Sequence, residues 1–476
     1  MTVPGGRLAA SFRDPDGYVF QHRDRIFRAL GPGFVTLLGE LEQRELLASL
    51  VRDGLLVPTH RVTDPVLRAE LLRAHPEAAE FAEHQRIAPI TYPYEWSVSM
   101  LADAGILTLD LQLRLLSAGL SLKDATAYNV QFRQGKPVFI DLTSIERPAR
   151  LDIWKALGQF NQMFTFPLLL NRQQGWDLRS FFLGSLGGRT LEQVAKAFGP
   201  LARWRPSLLL DLTLPLILGR RVEKQAPAAS RAVTAPRGGG SPEAQRANLG
   251  RLRNKIRALA AGYRPSGVWA DYTATCTYDA AASGAKRDLV RAYLERARPA
   301  QVLDLGCNTG EYSYLAAGAG ANVIAVDQDH DAIEMLYRRV RREPAAITPM
   351  VADLSNPSPG IGFRNTERDP LLARLESDLV LALALLHHLL VSANLSLEAS
   401  RDLLYDLSRD HVVLEFVPVD DPMFQRLLRF RSEDFGWLTL ARCREVLEQR
   451  FDVLDAAPVP GTPRTLLLLR KRAATA

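Results

Sequence analysis

Asp304, Gly306, Gly310 and Asp327 stand at spacings that suit a nucleoside-bearing ligand. Val302, Leu303 and Leu305 form a short apolar run that reads as a buried parallel strand. The run breaks at Gly306, passes through Cys307-Asn308-Thr309-Gly310, and enters a helical segment from Glu311. A second apolar run, Asn322 to Val326, ends on Asp327. Strand, glycine turn, helix, strand and terminal acid make a dinucleotide-type βαβ unit. Glycine at 306 and 310 lets a ligand approach the backbone closely, because no Cβ stands in the way. A carboxylate closing the second strand can accept both ribose hydroxyls of an adenosine.

A nicotinamide fingerprint requires G-x-G-x-x-G, whereas this chain offers G-C-N-T-G preceded by Asp304. The resulting D-x-G-x-x-x-G resembles motif I of the class I S-adenosylmethionine-dependent methyltransferases, over roughly residues 265–472. The resemblance implies an α/β, Rossmann-like seven-stranded sheet. Its last two strands pair antiparallel, and the seventh is inserted between its neighbours. It also implies S-adenosyl-L-methionine as cofactor. Asp304 then stands near the methionine ammonium, directly or through water, and the 306–310 backbone, with Cys307 and Asn308, runs along the methionyl and ribose portions. Asp327 holds the ribose, and Asp353, with Leu354 beside it, meets the adenine. Trp269, Tyr272, Tyr278 and Lys286 precede the motif and suit either a cover that stacks on the cofactor and pairs its carboxylate, or ordinary packing with a surface lysine.

The run from Asp378 to Leu389 resembles the fourth strand of that fold, whose end faces the transferred methyl. His387 and His388 sit at its mouth, either as a general base for a hydroxyl or amine or as a step that only shapes the pocket. His411 to Pro418 gives a fifth strand on which Glu415 is expected to point toward the substrate. Two adjacent histidines without further ligands do not argue for a metal.

A second constellation lies upstream: Asp124, Asn129 and Asp141, the last at the end of an apolar strand after a hairpin. It resembles the catalytic loop and metal-binding aspartate of the protein-kinase and aminoglycoside-phosphotransferase superfamily. Three oxygen-bearing side chains on one rim suit a hard cation such as Mg²⁺. The departures are that neither His nor Arg directly precedes Asp124, and that no glycine-rich loop and no V-A-I-K lysine stand upstream, Arg28 being a loose stand-in. The expectation is a kinase-like α+β fold used for recognition or scaffolding, with a vestigial rather than a working metal site. The wholly structural reading makes Asp124 a cap and Asp141 a satisfied strand-end acid.

The elements that carry these residues divide the chain. Residues 1–223 are expected to form the kinase-like domain, beginning with a strand, turn and strand over Ser11–Phe20, a strand over Arg25–Leu30 and one amphipathic helix over 34–53. Residues 224–246, rich in Pro, Ala, Gly and Ser, read as a flexible linker, and 247–476 as the methyltransferase domain. The two-part arrangement resembles bacterial nodulation-protein-like methyltransferases. A hydrophobic content of 47% over 476 residues is that of an ordinary globular protein. Three distant cysteines make neither a disulfide framework nor a zinc site. With no apolar leader and no membrane-length apolar run, a cytoplasmic protein is expected. The net charge of +6 is modest and locally clustered, so a small-molecule or oligosaccharide acceptor is expected rather than nucleic acid. From other classes, a non-catalytic cofactor-binding or assembly protein and a bifunctional enzyme that also phosphorylates remain alternatives.

Overall fold

The computed structural model describes residues 6–200, 202–205, 208–218, 240–265 and 280–473. The chain divides into two units, Met1–Arg86 with Tyr92–Gln131 and Pro137–Tyr263, and Ile87–Thr91 with Phe132–Lys136 and Arg264–Ala476.

The first unit is α+β. Strands β1 (Gly17–His22), β2 (Arg25–Leu30), β3 (Thr59–Arg61) and β4 (Glu80–His84) form an antiparallel sheet in the order β1-β2-β4-β3. Phe20, Phe27, Phe81 and Leu71 fill its core. The sheet starts later than expected. Residues 11–16 are irregular, because Asp14 Oδ1 accepts the Asp16 amide at 3.0 Å and Pro15 has no amide to give a ladder. The helix expected over 34–53 is two, Pro32–Gln43 and Leu46–Arg52, broken where Glu45 takes a left-handed φ of 52°. A buried helix, Val98–Ser117, forms the centre of the helical half. In the chain it is followed by β5 (Ser121–Leu122), β6 (Val130–Arg133), β7 (Lys136–Phe139) and β8 (Ile145–Glu146), which pair as β5 with β8 and β6 with β7, the tip of the latter hairpin, Phe132–Lys136, being counted with the second unit.

The stretch expected to end the linker is helix. Ser241 Oγ accepts the Ala244 amide at 3.2 Å, Pro242 takes the first helical position, and the helix runs to Ala261. Leu249, Leu252 and Ile256 are buried, and Arg253 Nε lies 2.7 Å from Asp110 Oδ1 on the Val98–Ser117 helix. This helix therefore packs with the first unit, and the division falls at 263/264 rather than at 246/247.

The second unit is a seven-stranded sheet: β9 (Gln301–Leu305), β10 (Asn322–Asp327), β11 (Ile347–Val351), β12 (Ser377–Ala382), β13 (Ser408–Phe416), β14 (Phe451–Pro458) and β15 (Thr465–Lys471). Their order is β11-β10-β9-β12-β13-β15-β14. β9 to β13 run parallel, and β15 lies between β13 and β14, antiparallel to both. That is the sheet which the motif resemblance implied. Its strands are apolar on both faces, as burial under helices on each side demands. Val302, Val323, Ala325, Leu379 and Leu381 pack with the helices Ala280–Ala297 and His330–Arg342. Leu303, Leu305, Ile324, Val380 and Ala382 pack on the other side with the helix Leu397–Leu407 and its neighbours. Strand order reverses at β9, and an open α/β sheet binds its ligands at the carboxyl ends of the strands beside such a reversal. Among the described residues, no helix is long and apolar enough to cross a membrane.

Candidate functional site

A cavity of about 580 Å³ lies at the carboxyl ends of β9, β10, β11 and β12. Its wall contains Asp304, Gly306, Cys307, Asn308, Asp327, Asp353 and Leu354, together with Lys286 and His388. The volume is in the range of a drug-sized ligand site.

The turn after β9 is held by backbone. The Gly306 and Cys307 amides donate to Val326 O at 2.8 and 3.1 Å, tying the turn to β10. Gly306 and Gly310 have φ of +68° and +82°, which glycine adopts without the Cβ penalty. At Gly310 the close neighbour is internal, because an added Cβ would stand 2.4 Å from Leu336 Cδ1. Glycine is needed there for packing and φ, and no ligand has to be invoked. Cys307 is a buried free thiol whose pKa is raised by burial, so it lines the turn as a small apolar side chain rather than as a nucleophile.

Two carboxylates flank this turn. Asp304 is 2% exposed, accepts Ser313 Oγ at 2.6 Å through Oδ2, and is pushed up to about 6 by burial. Asp327 closes β10. Its Oδ2 accepts the Asn308 amide at 2.8 Å and its Oδ1 the Asp329 amide at 2.9 Å, while burial raises its pKa. Each oxygen keeps a lone pair, so a vicinal diol could donate to both. Asn308 Oδ1 is buried without a partner and can accept one more donor. Asp353 Oδ1 is engaged by Ser355 N and Oγ at 2.8 and 2.7 Å, and Leu354 lies beside it on the wall. These residues fit an adenosyl group that carries an ammonium. They supply carboxylates for the diol and the cation, and apolar surface for the base. Trp269, Tyr272 and Tyr278, the expected cover, lie outside the described residues.

The far wall differs from expectation. Glu415 does not face the cavity. It is fully buried between Lys286 Nζ (2.6 Å from Oε2) and Arg464 Nη1 (3.4 Å from Oε1), and Arg464 in turn grips Asp421 through Nε at 2.7 Å and Nη2 at 3.1 Å. A carboxylate committed to two cations is poorly placed to take a proton from an acceptor. Lys286 and Arg464 line the cavity in its place, and Lys286 Nζ lies 5.0 Å from the Tyr312 ring centroid. The two histidines also separate. His388 is on the wall, whereas His387 lies behind it, 4% exposed, with its ring 5.4 Å from Phe424 and its Nδ1 unpartnered. Burial pushes His387 down to about 3 and lowers His388, with the Arg464 charge acting in the same direction on both.

Arg464 was not singled out from sequence as a site residue. The signal for it was a charged residue at the head of the apolar run Leu466–Leu469, where a cation is buried only if carboxylates meet it.

In the first unit, Asn129 and Asp141 do meet: Asn129 Nδ2 donates to Asp141 Oδ2 at 3.3 Å. Asp124 is close enough for the Asp141 charge to act on it, and burial followed by that charge raises its pKa. Arg28, however, occupies the rim, with Nη1 2.9 Å from Asp141 Oδ1, and Thr143 Oγ1 donates to the same oxygen at 3.0 Å. Lys123 is held by Asp14 Oδ1 at 2.9 Å and Asp16 Oδ2 at 2.6 Å.

A family model described as a methyltransferase domain matches residues 302–395, which carry β9 to β12 and most of the cavity wall. Among solved structures, that of WbdD is 21% identical, covering 42% of this chain and 42% of WbdD, with a TM-score of 0.31. The match thus spans about two fifths of WbdD's length. The N-methyltransferase NodS from Bradyrhizobium japonicum WM9 is 14% identical, covering 41% of this chain and 99% of NodS, with a TM-score of 0.31. Nodulation protein NoeA of Rhizobium meliloti (strain 1021) is 33% identical over 465 residues, 97% of this chain and 95% of that protein. Similarity sustained almost end to end covers both units at once: the chain belongs to the NoeA family, and its second unit is an S-adenosylmethionine-dependent methyltransferase domain.

Proposed function

We propose that the second unit transfers a methyl group to an uncharged hydroxyl or amine of a small molecule or oligosaccharide. S-adenosylmethionine, when bound, supplies the methyl as a sulfonium electrophile that needs no further activation. The chain's own residues bind, orient and exclude water. Asp327 receives the ribose diol, Asp304 the ammonium, and Asp353 with Leu354 the adenine. Lys286, expected to pair the cofactor carboxylate, is already committed to Glu415.

The observation that carries the reading of the acceptor is the pairing of the far wall. Both cationic side chains of that wall, Lys286 and Arg464, already face carboxylates, Glu415 and Asp421. An acceptor with its own negative charge gains little there, whereas an uncharged one meets a neutral wall. His388 is the proton acceptor, because it lines the cavity and its pKa is held below the ordinary 6.5. A neutral imidazole can take the proton that a hydroxyl or amine must shed. The first unit, on this reading, presents or recognises the acceptor and performs no phosphoryl transfer.

Calorimetry with S-adenosylmethionine, followed by a labelled-methyl screen of hydroxyl- and amine-bearing small molecules and oligosaccharides, tests this. Cofactor binding with label transferred to an uncharged acceptor is expected. Binding without transfer to any acceptor points instead to a non-catalytic cofactor-binding protein. Transfer confined to carboxylates or phosphates overturns the acceptor class.

A further inference from the structure

Asp304 is almost wholly buried on the cavity wall, and its side chain is held from outside its own strand. The residues registered with it on β10 and β12 are Ala325 and Leu381, whose side chains carry no donor. The donor comes from Ser313, in the first turn of the helix Glu311–Gly318, whose Oγ lies 2.6 Å from Asp304 Oδ2. Ser313 is fully buried. Inside a helix a serine hydroxyl commonly bonds back to a carbonyl of the preceding turn, and alanine is the better helix former. Here the hydroxyl leaves its helix and reaches β9 instead. A buried hydroxyl set against a buried carboxylate limits how that carboxylate can turn. Oδ2 is taken, and Oδ1 is the oxygen left for a ligand.

We propose that Ser313 is a positioning residue for the cofactor. It fixes Asp304 so that one oxygen is presented to an ammonium, and it thereby makes the site favour a ligand with a cationic amino-acid end over a bare nucleoside. The inference rests on the reading of Asp304 as the partner of the ammonium. The field at Asp304 has contributions from several elements. Burial opposes the ionised form, and so does the Asp327 charge at the end of β10. The Ser313 hydrogen bond and the Lys286 charge, from the helix Ala280–Ala297, favour it. Cys307 adds no charge, because burial keeps its thiol protonated. Lys286 is bonded to Glu415, whereas Ser313 is in direct contact with the Asp304 carboxylate. Ser313 therefore acts on both the orientation and the ionisation of the same group.

The test is calorimetry on the full chain at pH 6 and pH 8 with two ligands. One is S-adenosylhomocysteine, and the other is 5′-methylthioadenosine, which has the nucleoside and thioether but no amino-acid end. Removing a hydrogen bond to the charged form in Ser313→Ala should raise the Asp304 midpoint by about one pH unit. S-adenosylhomocysteine should then bind the variant about fivefold more weakly than the wild type at pH 6, a gap that narrows toward pH 8 as both proteins ionise. 5′-Methylthioadenosine should show no such gap. Ser313→Cys, with similar bulk and a weaker donor, should fall between the two proteins, and it serves if Ser313→Ala does not fold. The same loss at both pH values, or an equal loss for 5′-methylthioadenosine, marks Ser313 as a packing residue and overturns the proposal. Asp304→Asn separates the two readings. If it weakens both ligands alike, the ammonium does not lie against Asp304 and the reading beneath the proposal falls. If it weakens S-adenosylhomocysteine alone, that reading stands and the Ser313 variants decide by themselves.

Discussion

Arg28 Nη1 lies 2.9 Å from Asp141 Oδ1, and the arginine side chain is only 6% exposed. The guanidinium thus sits on the carboxylate that a divalent cation would need, and it comes from β2, in the sheet of the first unit. Thr143 donates to the same oxygen, and Asn129 donates to the other oxygen of that carboxylate. Lys123 closes the neighbouring turn by pairing with Asp14 and Asp16.

From this relationship we expect Mg²⁺-ATP to leave the melting temperature of the wild-type chain unchanged, since a ligand raises it only by binding the native state. Arg28→Met should lower the melting temperature of the first unit, because a largely buried carboxylate left without its partner costs about 3–5 kcal/mol. Scanning fluorimetry with and without Mg²⁺-ATP reads both effects. A Mg²⁺-dependent rise in the wild type that disappears in Asp141→Asn would restore the bifunctional reading.

Asp327→Asn should weaken S-adenosylmethionine binding by about 1.5–3 kcal/mol, roughly 10- to 100-fold in Kd. The substitution keeps the shape but only one acceptor oxygen, whereas the Asn308 and Asp329 amides bond different oxygens of Asp327. The loss therefore combines the charge and acceptor that a diol meets with one of these turn contacts. Calorimetry reporting an unchanged Kd removes Asp327 from the ribose.

The sheet of the second unit was legible because its strands are short apolar runs ending on acids, and a motif at fixed spacing set their register. Asp304, Gly306, Asp327 and Asp353 followed from the same rule, that the carboxyl ends of parallel strands carry the site. The far wall was not legible in that way. Glu415 alternates to a face that looks chemically useful, but its fate depends on Lys286 and Arg464, which are distant in sequence and joined to it only by folding. The domain break was misjudged for a related reason. The Pro and Ser of Ser241-Pro242 read as linker composition, although the same pair is a cap and first residue of a helix. In the first unit the three rim residues could be read from their spacing, but the guanidinium on the rim could not, since nothing local to Arg28 shows that β2 delivers it to Asp141.

Gly310→Ala should destabilise the second unit by about 2–4 kcal/mol, from left-handed backbone strain together with overpacking. The added Cβ would stand 2.4 Å from Cδ1 of Leu336, a fully buried side chain. Gly306→Ala should cost less, because its Cβ would meet only Leu385 Cδ1, at 3.3 Å. A double variant with Leu336→Val removes the clashing methyl and should recover part of the loss at 310. Denaturant unfolding of the four proteins measures the coupling. Strict additivity between 310 and 336 would show that strain alone sets the cost.

The last expectation concerns pH. Asp304 is pushed up to about 6 from its ordinary 3.8, first by burial and against the hydrogen bond from Ser313. A raised acid holds its proton more tightly in the folded chain than in the unfolded one. By itself Asp304 therefore lets the cofactor-free protein gain stability as pH falls from about 7 toward 4, because the buried charge is removed. Binding has the opposite sign. An ammonium placed against Asp304 favours the ionised form, so binding near pH 6 should release a proton. The apparent Kd should then weaken below about pH 6, by at most tenfold per pH unit. Calorimetry in two buffers of different ionisation enthalpy counts the proton directly. Asp304→Asn should bind more weakly at pH 7 and lose this proton release. If the wild type releases no proton near pH 6 and binds equally at pH 5 and 7, the ammonium does not lie against Asp304.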